Sequence, residues 1–186
     1  MLFVIDMQDE FLREVSCLES KWSFVGSVAS VVRKANDRDI PVVFVEYVGY
    51  GKTISALQDA ARGQFTVVKK KDDDGSDEIL SYLEEEEGID LDSPSSYPNL
   101  TFCGINSDAC VLLTVGGVLR QGFNCRIVQK ATANAWGKIS TINDSGLVRI
   151  WRDAFRPLDP HTMVRPPPAE GWKQPMNRRL RLIKRF

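Results

Sequence analysis

Short runs of β-branched and aromatic residues recur along this chain, and segments with helical spacing separate them. Strands are expected at 2–5, 42–47, 65–68, 100–104 and 124–129. Continuous apolar runs of this kind are typical of parallel strands that are buried on both faces. Because the strands alternate with helical segments, the pattern predicts a three-layer α/β/α fold with a mostly parallel, Rossmann-like sheet. A sixth strand is expected at Thr162–Arg165.

Helices are expected between these strands. Residues 7–20 show no regular period, whereas the next segment repeats apolar residues at helical spacing, so Trp22 is expected in the core rather than in a pocket wall. Ser76 is placed to cap a later helix. The remaining helices are expected at 54–62, 111–121 and 146–155.

The length of 186 residues suits one domain with a substantial core. The apolar residues before Asp6 are too few for a targeting peptide, and no apolar run is long enough to span a membrane. We expect one domain over 1–165. A C-terminal extension over 166–186 begins with three prolines and becomes strongly basic.

The chain has four cysteines, Cys17, Cys103, Cys110 and Cys125, without a C-x-x-C pair. This spacing argues against a zinc ribbon or a disulfide scaffold, and it favours a reducing, cytoplasmic setting. The single histidine, His161, lies far along the chain. Neither a Cys/His dyad nor a metal site is therefore expected, and no cofactor is predicted.

Cys110 follows a strand and a sharp turn, and it begins an apolar helix. A helix N-terminus stabilises negative charge, so the pKa of this thiol is expected to be lowered and Cys110 becomes a candidate nucleophile. The carboxyl ends of parallel strands meet at one rim of the sheet, where ligands bind. Asp6 and the lysines 69–71 follow two such ends. Asp6 is therefore a candidate base, and one of these lysines is a candidate partner for charge.

Two segments resemble the motifs of the isochorismatase-like cysteine hydrolases. They are Phe3–Phe11, which contains Asp6, and Gly104–Val111, which contains Cys110. Residues 67–70 resemble the strand that carries the lysine of that family. The resemblance implies an Asp–Lys–Cys triad on a six-stranded parallel sheet, with Asp6 as general base and Cys110 as nucleophile. Lys70 fits the lysine position best, and Lys69 and Lys71 remain open.

The same resemblance implies a cis peptide between Ile105 and Asn106 and an oxyanion hole formed by the amides of Asn106 and Cys110. It also implies cleavage of a C–N, amide-type bond in a small molecule through a thioester intermediate, in a homo-oligomer. The absent histidines argue against nicotinamide as substrate, and Cys110 argues against isochorismatase chemistry itself. Residues 72–76 depart from the family pattern, which has a small residue and an aromatic there.

Phe11, Tyr47 and Trp136 are candidate walls of the substrate pocket. The alternative function is a non-catalytic binding or scaffold protein on the same fold, acting through its C-terminal extension. That extension is expected to be disordered or to dock between subunits rather than to bind nucleic acid, because the rest of the chain has no basic stripe. Gln8 stands where an Asp-x-Asp phosphatase needs its second aspartate, so that class is not expected.

Overall fold

The computed structural model describes residues 1–13, 18–93 and 97–133 and contains a five-stranded parallel sheet. The strands are β1 (Leu2–Ile5), β2 (Val42–Tyr47), β3 (Thr66–Lys70), β4 (Asn99–Ile105) and β5 (Asn124–Ala133). They lie in the order β3-β2-β1-β4-β5, and every adjacent pair is parallel. The predicted α/β class is thus confirmed. The predicted sixth strand, the helix at 146–155 and the extension over 166–186 lie outside the described residues.

The helices are α1 (Asp9–Arg13), α2 (Leu18–Asn36), α3 (Ser55–Ala60), α4 (Ser76–Glu85) and α5 (Cys110–Arg120). Alternate strand residues supply two separate cores. Val4 and Phe44 pack with the residues of α2 and α3, whereas Phe3 and Val43 pack with those of α4 and α5. Because side chains along a strand point alternately to the two faces, a strand buried on both faces must be apolar throughout. This explains the unbroken runs in the sequence.

Two local predictions were wrong, those for Trp22 and for the Ser76 cap, and one short helix was not predicted. Trp22 is 60% exposed, because the buried stripe of α2 runs through Val28, about 120° around the helix from it. Residues 9–13 form α1, which is too short to show a period in the sequence. Gly75, not Ser76, is the N-cap of α4, and Oδ1 of Asp74 accepts the hydrogen bond from the backbone N–H of Ser76.

Candidate active site

Asp6 lies directly after β1 with its side chain fully buried. Its backbone has a φ of 52°, and its N–H donates to the carbonyl of Val45 at 2.9 Å. The chain therefore turns sharply at the carboxyl end of the central strand, and the carboxylate remains at the rim of the sheet. Burial raises the pKa of Asp6 to about 6, although the positive charge of Lys70 and a contact with the Cys110 thiol lower it in part.

The three consecutive lysines differ in direction because side chains alternate along β3. Lys70 is buried, and its Nζ lies 2.9 Å from Oδ2 of Asp6. Lys69 points the other way and pairs with Glu46 of β2, and Lys71 is exposed beyond the end of the strand. Of these three candidates, Lys70 is the one that the structure brings to Asp6. The strand continues to Lys70, two residues beyond the predicted end. Lys69 and Lys70 are therefore both strand residues, and their side chains point to opposite faces of the sheet.

Cys110 begins α5 and is 1% exposed. Its Sγ donates a hydrogen bond to Oδ1 of Asp73 at 3.6 Å. Burial and then the negative charge of Asp6 raise the pKa of the thiol to about 12, against a smaller lowering by Lys70. The expectation of a lowered thiol pKa was therefore wrong. A helix terminus alone does not outweigh burial beside two carboxylates.

The turn between β4 and Cys110 presents backbone amides. The peptide bond between Ile105 and Asn106 is cis, at the position that the family resemblance indicates. The carbonyl of Asn106 accepts hydrogen bonds from the N–H groups of Ala109 and Val111 at 3.2 and 3.0 Å. Among the described residues, the N–H groups of Asn106 and Cys110 have no such acceptor. The oxyanion hole at these two amides stays a prediction.

Gly104 allows β4 to approach β1 closely at this turn. Its φ is +124°, and a Cβ there would lie 2.1 Å from the carbonyl oxygen of Ile5. Only glycine fits a backbone in this conformation at this distance. The close approach brings the turn before Cys110 next to the end of the strand that carries Asp6.

The aspartate-rich segment after β3 folds onto the site, although it departs from the family pattern. The Lys70 Nζ donates to the carbonyls of Asp72 and Asp73 at 3.0 and 3.2 Å. The side chain of Asp73 accepts the hydrogen bond from Cys110, as described above. Sequence reasoning missed Asp73. The available signal was its position, three residues after Lys70 in a segment without the expected small and aromatic residues.

Three aromatic rings gather beside the ion pair, and we call Phe11, Tyr47 and Tyr50 the aromatic cluster. Phe11 stacks on Tyr50 with ring centroids 4.5 Å apart, and Tyr47 lies 5.0 Å from Tyr50 and 6.0 Å from Phe11. The Lys70 Nζ lies 4.7 Å from the centroid of Tyr47. The structure thus brings together two of the three predicted pocket residues and adds Tyr50. Trp136 lies outside the described residues.

Two aspartates within the motif segments and two of the other cysteines take no part in the contacts described above. Asp9 is exposed in the first turn of α1, and Asp108 is exposed in the turn before α5. Cys103 and Cys125 are buried free thiols, and burial raises the pKa of both. Cys17 lies outside the described residues. Within the described ranges, no group of side chains forms a metal site, and no helix is long and apolar enough to cross a membrane.

Comparisons with known proteins agree with this architecture. The sequence model of the isochorismatase domain matches residues 1–137. The fold is similar to that of the MAR1 ribonuclease from Caenorhabditis elegans, with a TM-score of 0.59 at 19% identity over 80% of this chain and 71% of that one. Nicotinamidase PncA from Bacillus subtilis gives 0.58 at 17% identity over 82% and 93% of the two chains.

The YcaC gene product from Escherichia coli, described as an octameric hydrolase of unknown specificity, gives a TM-score of 0.57 at 15% identity. That alignment covers 76% of this chain and 71% of the other. No curated protein sequence matches the chain. At such low identities the structural likeness shows the fold, whereas the match over 1–137 also shows the family.

Proposed function

The chain belongs to the isochorismatase domain family, and we propose that it is a cysteine hydrolase that cleaves a C–N, amide-type bond of a small molecule. In this proposal Cys110 is the nucleophile, Asp6 the general base and Lys70 the partner that holds Asp6. The observation that carries it is the buried ion pair between Asp6 and Lys70 beside the thiol at the start of α5. A buried carboxylate and a buried thiol in contact are a base and a nucleophile in position.

The pKa values set how the reaction starts. With a thiol pKa of about 12 and an Asp6 pKa of about 6, the resting site holds a neutral thiol next to an ionised carboxylate near neutral pH. A free thiolate is therefore not the resting state. Asp6 accepts the thiol proton while the sulfur forms its bond to the carbonyl carbon of the substrate, as in general base catalysis.

The following steps use the same groups. The carbonyl oxygen gains negative charge during the attack, and the free N–H groups of Asn106 and Cys110 stabilise it. When the C–N bond breaks, protonated Asp6 gives its proton to the departing nitrogen, and an acyl thioester remains on Cys110. A water molecule then attacks the thioester while Asp6 accepts its proton. The acid leaves, the proton returns to the sulfur, and the site is restored.

Two structural neighbours bear on the class of substrate. The Bacillus subtilis protein is a nicotinamidase, which acts on an amide, whereas the Caenorhabditis elegans protein is described as a ribonuclease. In this chain the Asp73 carboxylate contacts the thiol. An RNA phosphate would be repelled there, so a small amide is favoured.

A homo-oligomer is also proposed, because the Escherichia coli neighbour is octameric. Light scattering of the full chain tests this directly.

The decisive experiment compares Cys110→Ala with the wild-type chain on a panel of small primary amides, with ammonia release as the readout. We expect the wild type to hydrolyse at least one amide and the variant to lose that activity while keeping its fold. Intact-protein mass spectrometry should detect an acyl adduct on the wild type during turnover. Cys125→Ala is the matched control. This thiol is buried in β5, which β4 separates from the strand before Asp6, so the variant should keep the wild-type activity.

Hydrolysis by Cys110→Ala at the wild-type rate would overturn the mechanism. If no amide on the panel is hydrolysed and no adduct forms, the alternative of a binding protein is favoured instead.

A further inference from the structure

The segment 72–74 is fixed against the site from both sides. Lys70 holds its backbone through the carbonyls of Asp72 and Asp73. On the other side, Oγ1 of Thr114 accepts a hydrogen bond from the Gly75 N–H at 2.9 Å and donates one to the Asp73 carbonyl at 3.4 Å. The position of the Asp73 side chain at the thiol is therefore set by the fold and not by a free loop.

The charges around the thiol do not cancel. The positive charge of Lys70 is matched by Asp6 at 2.9 Å. Asp73 adds a second carboxylate next to Cys110, and it takes part in no ion pair among the described residues. The neighbouring Asp74 differs, since its Oδ2 lies 3.3 Å from the Arg120 guanidinium. Asp73 thus contributes a negative charge that no ion pair among the described residues neutralises, and this charge contacts the nucleophile.

The aromatic cluster lies next to this charge. The ring of Tyr47 already contacts the Lys70 ammonium, which shows that cations are accommodated on this side of the site. The stacked ring of Tyr50 is 40% exposed and presents apolar surface to solvent. A carboxylate beside aromatic rings is the combination that recognises ammonium groups, through ion pairing and cation–π attraction.

We infer that the substrate carries a positive charge, such as an ammonium group, near its scissile amide, and that Asp73 selects this charge. The inference rests on the proposed function and specifies its substrate class. In the free protein Asp73 holds the thiol by a hydrogen bond. When a cationic group binds, Asp73 pairs with it and releases the thiol proton to Asp6. The same carboxylate disfavours an anionic substrate by repulsion.

The first test measures the charge preference at Cys110 without requiring turnover. Three methanethiosulfonate reagents, one cationic, one neutral and one anionic, react with the full chain, and peptide mass spectrometry follows modification of Cys110. Rates are divided by those of a small free thiol. At low ionic strength we expect the cationic reagent to exceed the anionic one by about tenfold or more, from one charge at close range.

Asp73→Asn should bring that ratio close to one. The control is Asp77→Asn, which makes the same charge change in the first turn of α4 at an exposed position. It should keep the wild-type ratio. An equal ratio in the wild type and Asp73→Asn overturns the inference, and so does a Cys110 that none of the three reagents reaches.

The second test uses matched amides of glycine-like size with cationic, neutral and anionic substituents. We expect kcat/KM to be highest for the cationic amide, and Asp73→Asn to lower the ratio of kcat/KM for the cationic amide to kcat/KM for the neutral amide about tenfold. Turnover without charge preference overturns the inference and leaves the proposed function intact. A reagent ratio that depends on Asp73, without turnover of any amide, rejects the hydrolase and retains the preference for cations.

Discussion

The ammonium of Lys70 lies 2.9 Å from the carboxylate of Asp6, although β2 separates the two strands that carry them. Lys70 is level with Tyr47 in the sheet, and its Nζ lies over the ring of that residue on the way to Asp6. The ion pair therefore spans three strands at one rim. Both side chains are completely buried, so each charge depends on the other.

The first prediction concerns the stability of this pair. Lys70→Met and Asp6→Asn should each lower the free energy of unfolding by about 3–5 kcal/mol. Each substitution leaves the other member of the pair buried without its partner of opposite charge. The double variant should lose less than the sum of the two, since no uncompensated charge remains. Urea unfolding of all four proteins gives the coupling energy.

Lys71→Met is the control for that cycle. Lys71 is exposed beyond the end of β3, and among the described residues its side chain takes part in no ion pair, so the change should cost no more than about 0.5 kcal/mol. Additive effects of Lys70→Met and Asp6→Asn would show that the two charges do not interact in the folded chain.

The second prediction concerns pH. Asp6 must be ionised to accept a proton, and its pKa is about 6, so kcat/KM for a neutral amide should fall tenfold per pH unit below about 6. The contribution of Asp6 to the free energy of unfolding changes in the opposite direction, since it falls as the pH rises. A carboxyl whose pKa rises from 3.8 on folding favours the folded state below 3.8, and this contribution is lost as pH rises through about 6.

Activity and the midpoint of thermal unfolding, measured between pH 4 and 8, separate the two effects. The loss of activity in acid should occur without unfolding that is due to Asp6. An activity midpoint near pH 4 would mean that Asp6 titrates as an ordinary carboxyl and is not the buried base.

The sheet was predictable because inner strands such as β1 and β2 are buried on both faces and thus show unbroken apolar runs. The positions of Asp6 and Cys110 at the carboxyl ends of their strands follow from the parallel order. The family resemblance already favoured Lys70, and the structure was needed to show that Lys69 pairs elsewhere and that Lys70 reaches Asp6. The alternation along β3 depends on where that strand ends, and strand ends are poorly marked in the sequence.

Side-chain environments were less predictable than positions. The raised pKa of the Cys110 thiol depends on burial by distant segments, which the local helix pattern does not show. Asp73 reaches the thiol because Thr114 and Lys70 bind the backbone around it, and both contacts are made only after folding. Trp22 fits the helical spacing of the core residues but lies outside their buried stripe. Each residue turns the helix by about 100°, so spacing alone does not fix where the edge of the buried face lies.

The third prediction concerns the reactivity of the Cys110 thiol. Because its pKa is about 12, alkylation by iodoacetamide should accelerate about tenfold per pH unit from 7 to 10 without a plateau. Peptide mass spectrometry resolves Cys110 from Cys103 and Cys125, which should react more slowly because they are buried without a catalytic neighbour. A plateau beginning near pH 7 would indicate a thiolate stabilised by the helix, as the sequence alone suggested.

The last prediction tests the close contact that places the turn before Cys110. Gly104→Ala puts a Cβ 2.1 Å from the Ile5 carbonyl in a backbone with a φ of +124°, so the strands must separate. We expect a loss of at least about 3 kcal/mol in the free energy of unfolding, since both overpacking and backbone strain contribute.

Gly26→Ala is the matched control for this substitution. Gly26 lies exposed in α2 with no atom within 4 Å of its added Cβ, and alanine should stabilise that helix by about 0.5–1 kcal/mol. Chemical unfolding of the two variants should therefore give opposite signs. If Gly104→Ala is as stable as the wild type, β1 and β4 do not approach as closely as described, and the amides of the turn lose their fixed position beside Asp6.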